Sequence, residues 1–284
     1  MNYWEEAMNS KIITLENKLN VKVNMWGGNH KSSVILLHGL GSTGKSFSEL
    51  AAILSQNNNV YAFDLPGHGT STYLDHEDFF SMESLADWVK EVVNYLNVDN
   101  FHIVGHSVGG NIGLAFAKKY IMKSLILLDG GYIRAKNIPD HTLEDEIKMT
   151  EQHIENFTFS SWEAYEKELF NDGMSQMHID LSKDSMKSEN RMIKLIVNSK
   201  VASHIVRQKY NEPTDETLMA VSSKVLLLRS TIPQEFNYLR DKETKRFNQS
   251  INTTVVNVKN ASHDIYWDNP LFVGEQINEW IMKL

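Results

Sequence analysis

Short apolar runs alternate with amphipathic stretches through the first half of this chain, and that alternation leaves few folds open. Val34–Leu37, Val60–Phe63, Phe101–Val104 and Ser124–Leu128 are each β-branched, aromatic or Leu-rich, and each ends at a turn. Runs of this length and composition fit strands buried on both faces of a sheet. Between them lie Lys45–Ser55, Met82–Leu96 and Val108–Tyr120, all amphipathic. In the second, Leu85, Val89, Val92 and Leu96 repeat at helical spacing beside Trp88, which leaves Asp87, Lys90, Glu91 and Asn94 outward. Strands separated by helices are joined by crossovers, so the sheet is mainly parallel with helices on both faces. A further strand pair, Lys11–Leu15 and Leu19–Met25, precedes it and closes near Gly27-Gly28.

The alternation stops at Gly131 and resumes with strand Lys224–Leu228, helix Gln234–Phe247, strand Thr253–Val258 and a helix from Pro270, with Asn269 as its N-cap. Residues 132–222 show no convincing strand, only helical patterns at Thr142–Phe157, Trp162–Phe170 and Glu189–Tyr210. They read as a helical insertion in a core made of residues 1–131 and 223–284. The insertion holds six of the twelve methionines, and its 16 acidic against 11 basic residues account for most of the net charge of −8.

Composition removes several chemistries. With no cysteine there is no disulfide framework, thiolate metal site or cysteine nucleophile. The acidic balance gives no support for nucleic-acid binding. Met1-Asn2-Tyr3-Trp4-Glu5-Glu6 lacks the basic start and apolar stretch of a secretion signal, and no apolar run reaches membrane-spanning length. The expectation is a cytoplasmic protein with no nucleic-acid or membrane partner, as a monomer or a homodimer.

Eleven of the fifteen glycines fall between Gly39 and Gly131, and their clusters mark the candidate chemistry. Phe101–Val104 runs into the helix from Val108 through Gly105-His106-Ser107-Val108-Gly109-Gly110. A serine at the apex of a strand-to-helix turn takes strained backbone angles that expose its hydroxyl. The residues two before and two after it pass too close for a Cβ, which accounts for Gly105 and Gly109. The Val108 N–H, at the helix N-terminus, points toward an anion forming at a carbon attacked by Ser107.

His38-Gly39-Leu40-Gly41 follows Val34–Leu37, and the two glycines let the chain turn the Leu40 N–H inward as a second donor. Asp64-Leu65-Pro66-Gly67-His68-Gly69 follows Val60–Phe63. There Asp64 reads as a carboxylate that accepts backbone N–H groups and fixes the loop, with His68 also structural.

With these three segments in this order and spacing, the chain resembles the α/β-hydrolase superfamily, in its serine-nucleophile, esterase-like branch with a helical cap. The resemblance covers nearly the whole chain. It implies a mostly parallel eight-stranded sheet, Ser107 after the fifth strand as nucleophile and a cap inserted after the sixth. It also implies a histidine after the last strand, where Ala261-Ser262-His263-Asp264 stands, so that His263 is the expected general base. The family's third residue, an aspartate shortly after the seventh strand, is missing from Arg229-Ser230-Thr231-Ile232-Pro233-Gln234-Glu235. Two carboxylates remain open: Asp129, at the end of the sixth strand, and Glu235. Asp129 is favoured because a strand end is rigid.

The activity implied is hydrolysis of a small-to-medium carboxylic ester through an acyl-enzyme, with oxyanion donors Leu40 and Val108 and no metal or cofactor. Thioester, lactone or carbon–carbon cleavage by the same groups is the alternative. So is a ligand-binding member of the fold that has lost turnover.

Overall fold

The computed structural model describes residues 8–284. An eight-stranded sheet is built from β1 (Asn9–Thr14), β2 (Asn20–Trp26), β3 (Ser33–Leu37), β4 (Asn59–Phe63), β5 (Phe101–His106) and β6 (Ser124–Leu128), and is completed by β10 (Lys224–Arg229) and β11 (Thr253–Asn257). The strand order is β1-β2-β4-β3-β5-β6-β10-β11. Only β2 against β1 and β4 is antiparallel; the remaining pairings are parallel.

The continuous apolar runs now have their physical reason. Side chains alternate between the two faces of a strand, and both faces are covered. Ile35, Leu37, Ile103, Leu125, Leu127, Val225 and Leu227 enter one core. Their neighbours Val34, Leu36, Val104, Ile126, Leu128, Leu226 and Leu228 enter the other. The helices Met82–Tyr95 and Val108–Lys119 pack the first face, while Ser48–Leu54 and Pro270–Met282 pack the second. From β3 the chain moves outward to β4 on one side, then returns to place β5 on the other. The carboxyl ends of β3 and β5 therefore flank a crevice of the kind where parallel sheets bind ligands.

The insertion departs from the all-helical expectation. It carries the helices Leu143–Asn156, Trp162–Asn171, Gln176–Ser182, Ser199–Lys209 and Asp215–Ala220, but also a three-stranded antiparallel sheet in the order β7-β9-β8. Its strands are β7 (Thr158–Phe159), β8 (Met186–Glu189) and β9 (Met192–Leu195). The expected helix Glu189–Tyr210 is in fact the end of this hairpin followed by a shorter helix. Asn190 and Arg191 both have positive φ, 53° and 63°, as a two-residue hairpin turn requires. Ile193, Leu195 and Val197 are buried on alternate positions, a period of two that was readable in the sequence. Thr142 caps the helix Leu143–Asn156 through a reciprocal capping box with Asp145.

The insertion is fastened to the core by polar and aromatic contacts. Lys22 of β2 meets Asp184 at 2.9 Å. His178 stacks on Trp267 with ring centroids 4.7 Å apart. Among the described residues no helix is long and apolar enough to cross a membrane.

Candidate active site

Ser107 sits between β5 and the helix Val108–Lys119 with φ 52° and ψ −120°, a left-handed conformation that side-chain-bearing residues rarely adopt. Close packing enforces it. A Cβ on Gly105 would lie 2.3 Å from the Gly109 carbonyl oxygen, and one on Gly109 would lie 2.2 Å from that of Leu37. Sequence reasoning missed a third close approach. Gly130, following β6, passes so near the turn that its Cβ would stand 2.4 Å from both the Ser107 nitrogen and its carbonyl oxygen. Gly130→Ala is therefore expected to lower stability by about 1–3 kcal/mol in urea unfolding, the usual range for overpacking. Gly28→Ala, where a Cβ meets nothing within 4 Å, serves as the near-neutral control. Equal midpoints for the two variants would contradict this.

The loop after β3 presents the Leu40 N–H. The Gly39 carbonyl accepts a hydrogen bond from His38 Nδ1 at 2.7 Å and another from the Ser42 N–H. The C=O and N–H of one trans peptide point in opposite directions, so the Leu40 N–H is turned away from those donors. Among the described residues, neither the Leu40 nor the Val108 N–H is taken by a protein acceptor. Burial and the neighbouring His68 push the His38 imidazole well below its ordinary value. His38 is thus neutral, and its Nε2 accepts the Leu65 N–H at 2.8 Å.

The loop after β4 is structural, in line with the reading of Asp64 and His68. Asp64 is fully buried and accepts the Gly44 N–H at 2.9 Å. Burial raises its carboxyl to about 6. His68, pushed down to about 4 by burial, accepts the Gly41 N–H at 3.1 Å and so steadies the loop that carries Leu40.

Of the two carboxylates left open, the structure brings Asp129 to His263: Nδ1 and Oδ2 are 2.9 Å apart. Glu235 lies exposed in the short helical turn Gln234–Phe236, with no hydrogen bond to His263. Asp129 is buried and holds φ 43° at the end of β6, fixed by its own N–H to the Leu228 carbonyl. Its carboxylate accepts three more hydrogen bonds. The Ser230 N–H reaches Oδ1 at 3.0 Å, the Ser230 hydroxyl reaches Oδ2 at 2.8 Å, and the Tyr132 hydroxyl reaches Oδ1 at 3.1 Å.

Burial alone would push this carboxyl up, but the hydrogen bond and charge of His263, with the Ser230 donors, outweigh it and hold it below the usual carboxylate value. Burial works against a charged His263, yet Asp129 more than offsets it and raises the imidazole above 6.5. Ser230 and Tyr132 were not picked out from sequence. Ser230 stands in the segment after β10 where an acid was sought, and there it donates to the acid on the neighbouring strand.

His106 is a second neighbour that sequence reasoning passed over. It is buried, its ring centroid lies 4.7 Å from that of His263, and its Nε2 donates to the His263 carbonyl at 3.0 Å. Burial and His263 hold it well below the ordinary imidazole value, so it stays neutral.

Ser107, Asp129, His263, Leu40 and Val108 line one cavity of about 920 Å³ whose remaining wall comes largely from the insertion. Among the described residues no group of three or more His, Cys, Asp or Glu is arranged to hold a metal ion. Chemically, the arrangement offers a hydroxyl on a strained turn, an imidazole whose Nδ1–H is fixed by a carboxylate, and two free N–H donors.

Residues 32–270 match the family model described as the alpha/beta hydrolase fold. Among curated proteins, the chain is 34% identical over 107 residues to a "Serine hydrolase-like protein" of Danio rerio, covering 37% of this chain and 33% of that one. It is 25% identical over 124 residues to the (E)-2-((N-methylformamido)methylene)succinate hydrolase of Acinetobacter baylyi, covering 43% and 46%. The aligned stretches thus span less than half the length of these relatives. Among solved structures, that of E-2-(acetamidomethylene)succinate hydrolase superposes with a TM-score of 0.80 at 19% identity, covering 96% of this chain and 99% of that one.

Proposed function

The chain belongs to the α/β-hydrolase family, and from that premise we propose that it is a serine hydrolase of small-to-medium carboxylic esters. One observation carries the reading: Ser107 on its strained turn shares a cavity with a histidine whose Nδ1 is held by a buried carboxylate.

The Ser107 hydroxyl attacks the ester carbonyl and passes its proton to His263 Nε2. Asp129 keeps the other ring nitrogen protonated and stabilises the imidazolium. Negative charge develops on the carbonyl oxygen, where the Leu40 and Val108 N–H groups are preorganised to receive it. The alcohol departs with the proton from His263, leaving an acyl-enzyme. Water, deprotonated by the same imidazole, then releases the acid and restores Ser107.

Residues 132–222 act in this scheme as a cap that walls the cavity and selects the substrate. The non-catalytic alternative drew its support from the irregular place of the acid, and the Asp129–His263 hydrogen bond favours turnover instead. The relatives bearing the name hydrolase support hydrolysis as the reaction type.

A fluorophosphonate probe is expected to label the wild-type protein and not Ser107→Ala. A cavity of about 920 Å³ with largely apolar walls suits a short or medium acyl group together with its alcohol. In a p-nitrophenyl ester series, acetate and butyrate are accordingly expected to be cleaved faster than palmitate. Absence of labelling, or a preference for palmitate, would overturn the assignment.

A further inference from the structure

His106 joins two parts of the site that the chain itself keeps far apart. It is the covalent neighbour of Ser107, and its buried imidazole reaches the loop that carries His263. The ring is wedged from two sides. A Cβ on Gly39 would lie 3.0 Å from His106 Nδ1, so the loop that presents the Leu40 N–H backs onto that edge of the ring. The Tyr266 ring meets it edge-on, with centroids 5.1 Å apart and planes at 70°. From this slot the Nε2–H donates to the His263 carbonyl at 3.0 Å. Asp264 Oδ1, at 3.6 Å, stands beyond hydrogen-bond reach.

The residues beside the base are tied down separately. The Ala261 carbonyl accepts the N–H groups of Thr231 and Ile232, and the Ser262 N–H and hydroxyl both donate to Asp268. At His263 itself, the described residues supply one hydrogen bond to the ring, from Asp129, and one to the backbone, from His106. The first fixes which way the imidazole faces. The second fixes where the residue stands relative to Ser107.

The bond also sets the tautomer of His106. With the proton on Nε2, Nδ1 is an acceptor, and it is buried without a partner. An unpaired buried acceptor is costly, and an apolar side chain in the same slot would avoid that cost. What the imidazole adds, and an apolar group lacks, is the N–H aimed at the base.

We propose that His106 is a positioning residue for the Ser107–His263 pair, tying the backbone of the general base to the segment that carries the nucleophile. The inference rests on the hydrolase reading and adds a group that sets the geometry of proton transfer without itself taking the proton. That geometry is exacting, because the base must stand within about 2.6–3.2 Å of the hydroxyl.

Two variants separate the N–H from the space the ring fills. His106→Leu removes the donor. His106→Gln restores one, since its Nε2 stands as many bonds from the backbone as that of the imidazole. With p-nitrophenyl butyrate, kcat per folded protein is expected to fall about tenfold to a hundredfold in His106→Leu with KM within about twofold, and to return to within about threefold of wild type in His106→Gln, the scale of a small misplacement of reacting groups. His106→Phe, which keeps a ring in the slot, repeats the loss if the leucine variant does not fold. Proton NMR gives a readout without turnover. The His263 Nδ1–H, held by Asp129, is expected to give a far-downfield resonance that Asp129→Asn lacks. It broadens into exchange with water in His106→Leu and stays sharp in His106→Gln. That pattern in a protein that hydrolyses no ester would strike the hydrolase reading alone. An unchanged kcat in His106→Leu, equal losses in the leucine and glutamine variants, or a sharp resonance in both overturns the positioning role.

Discussion

Ser107→Ala is expected to lower kcat for p-nitrophenyl butyrate by about a million-fold, the scale on which serine hydrolases lose rate with their nucleophile. The loss is this large because the other groups act through that hydroxyl. Without it, His263 has no proton to take and no covalent intermediate forms. What survives is the catalysis available to a bound ester held against two N–H donors, about a thousand- to ten-thousand-fold over water. The alanine inherits the same φ of 52° and the same close neighbours, so the thermal midpoint is expected to stay nearly unchanged. Calorimetry beside the kinetics checks this. A variant that folds normally and keeps more than about a hundredth of the rate would show that the nucleophile lies elsewhere.

Asp129→Asn is expected to lower kcat by about ten-thousand-fold, whereas Glu235→Gln leaves it near wild type. The carboxylate accepts from His263 Nδ1, Ser230 and Tyr132. An amide can keep some of these only by turning its NH2 toward others. Facing His263, that NH2 demands an unprotonated Nδ1, which moves the ring proton to Nε2, where it blocks uptake of the Ser107 proton.

The pH profile gives a second readout. The base acts as neutral imidazole, and Asp129 stabilises its protonated form, so the folded-state value lies above 6.5. The kcat/KM of the wild-type protein is therefore expected to be lost as pH falls through a midpoint above 6.5. Removing the charge of Asp129 removes what chiefly favours the imidazolium, and the midpoint of Asp129→Asn is expected to move down. An unmoved midpoint, or a larger loss in Glu235→Gln, would transfer the acid's role away from Asp129.

The core and the strand-to-helix turn at Ser107 were legible in the sequence because local rules and tertiary demands agree there. Val34–Leu37 and Leu125–Leu128 are apolar at every position because both faces of the sheet are buried, and Gly105 and Gly109 leave room that only glycine can leave. The acid was harder to read because it depends on which strand ends become neighbours. Asp129 and Glu235 lie more than a hundred residues apart, and the pairing of β6 with β10 favours one of them. Ser230 was invisible for the same reason, since nothing local distinguishes a serine that will face a carboxylate. In the insertion, the alternation of Ile193, Leu195 and Val197 runs directly into the helical pattern that begins a few residues later, and that pattern masks the hairpin.

The clasp between Asp129 and Ser230 has a further consequence. The chain leaves β6 at Leu128, one residue before Asp129, and after its ninety-residue excursion rejoins the sheet as β10, whose last residue, Arg229, precedes Ser230. The strands before and after it are parallel neighbours, and their carboxyl ends are riveted by two hydrogen bonds. The excursion is thereby mechanically insulated. Whatever is spliced between these two strands, the carboxylate that holds His263 keeps its place, so the pocket wall is free to be exchanged for another while the groups beneath it stay the same.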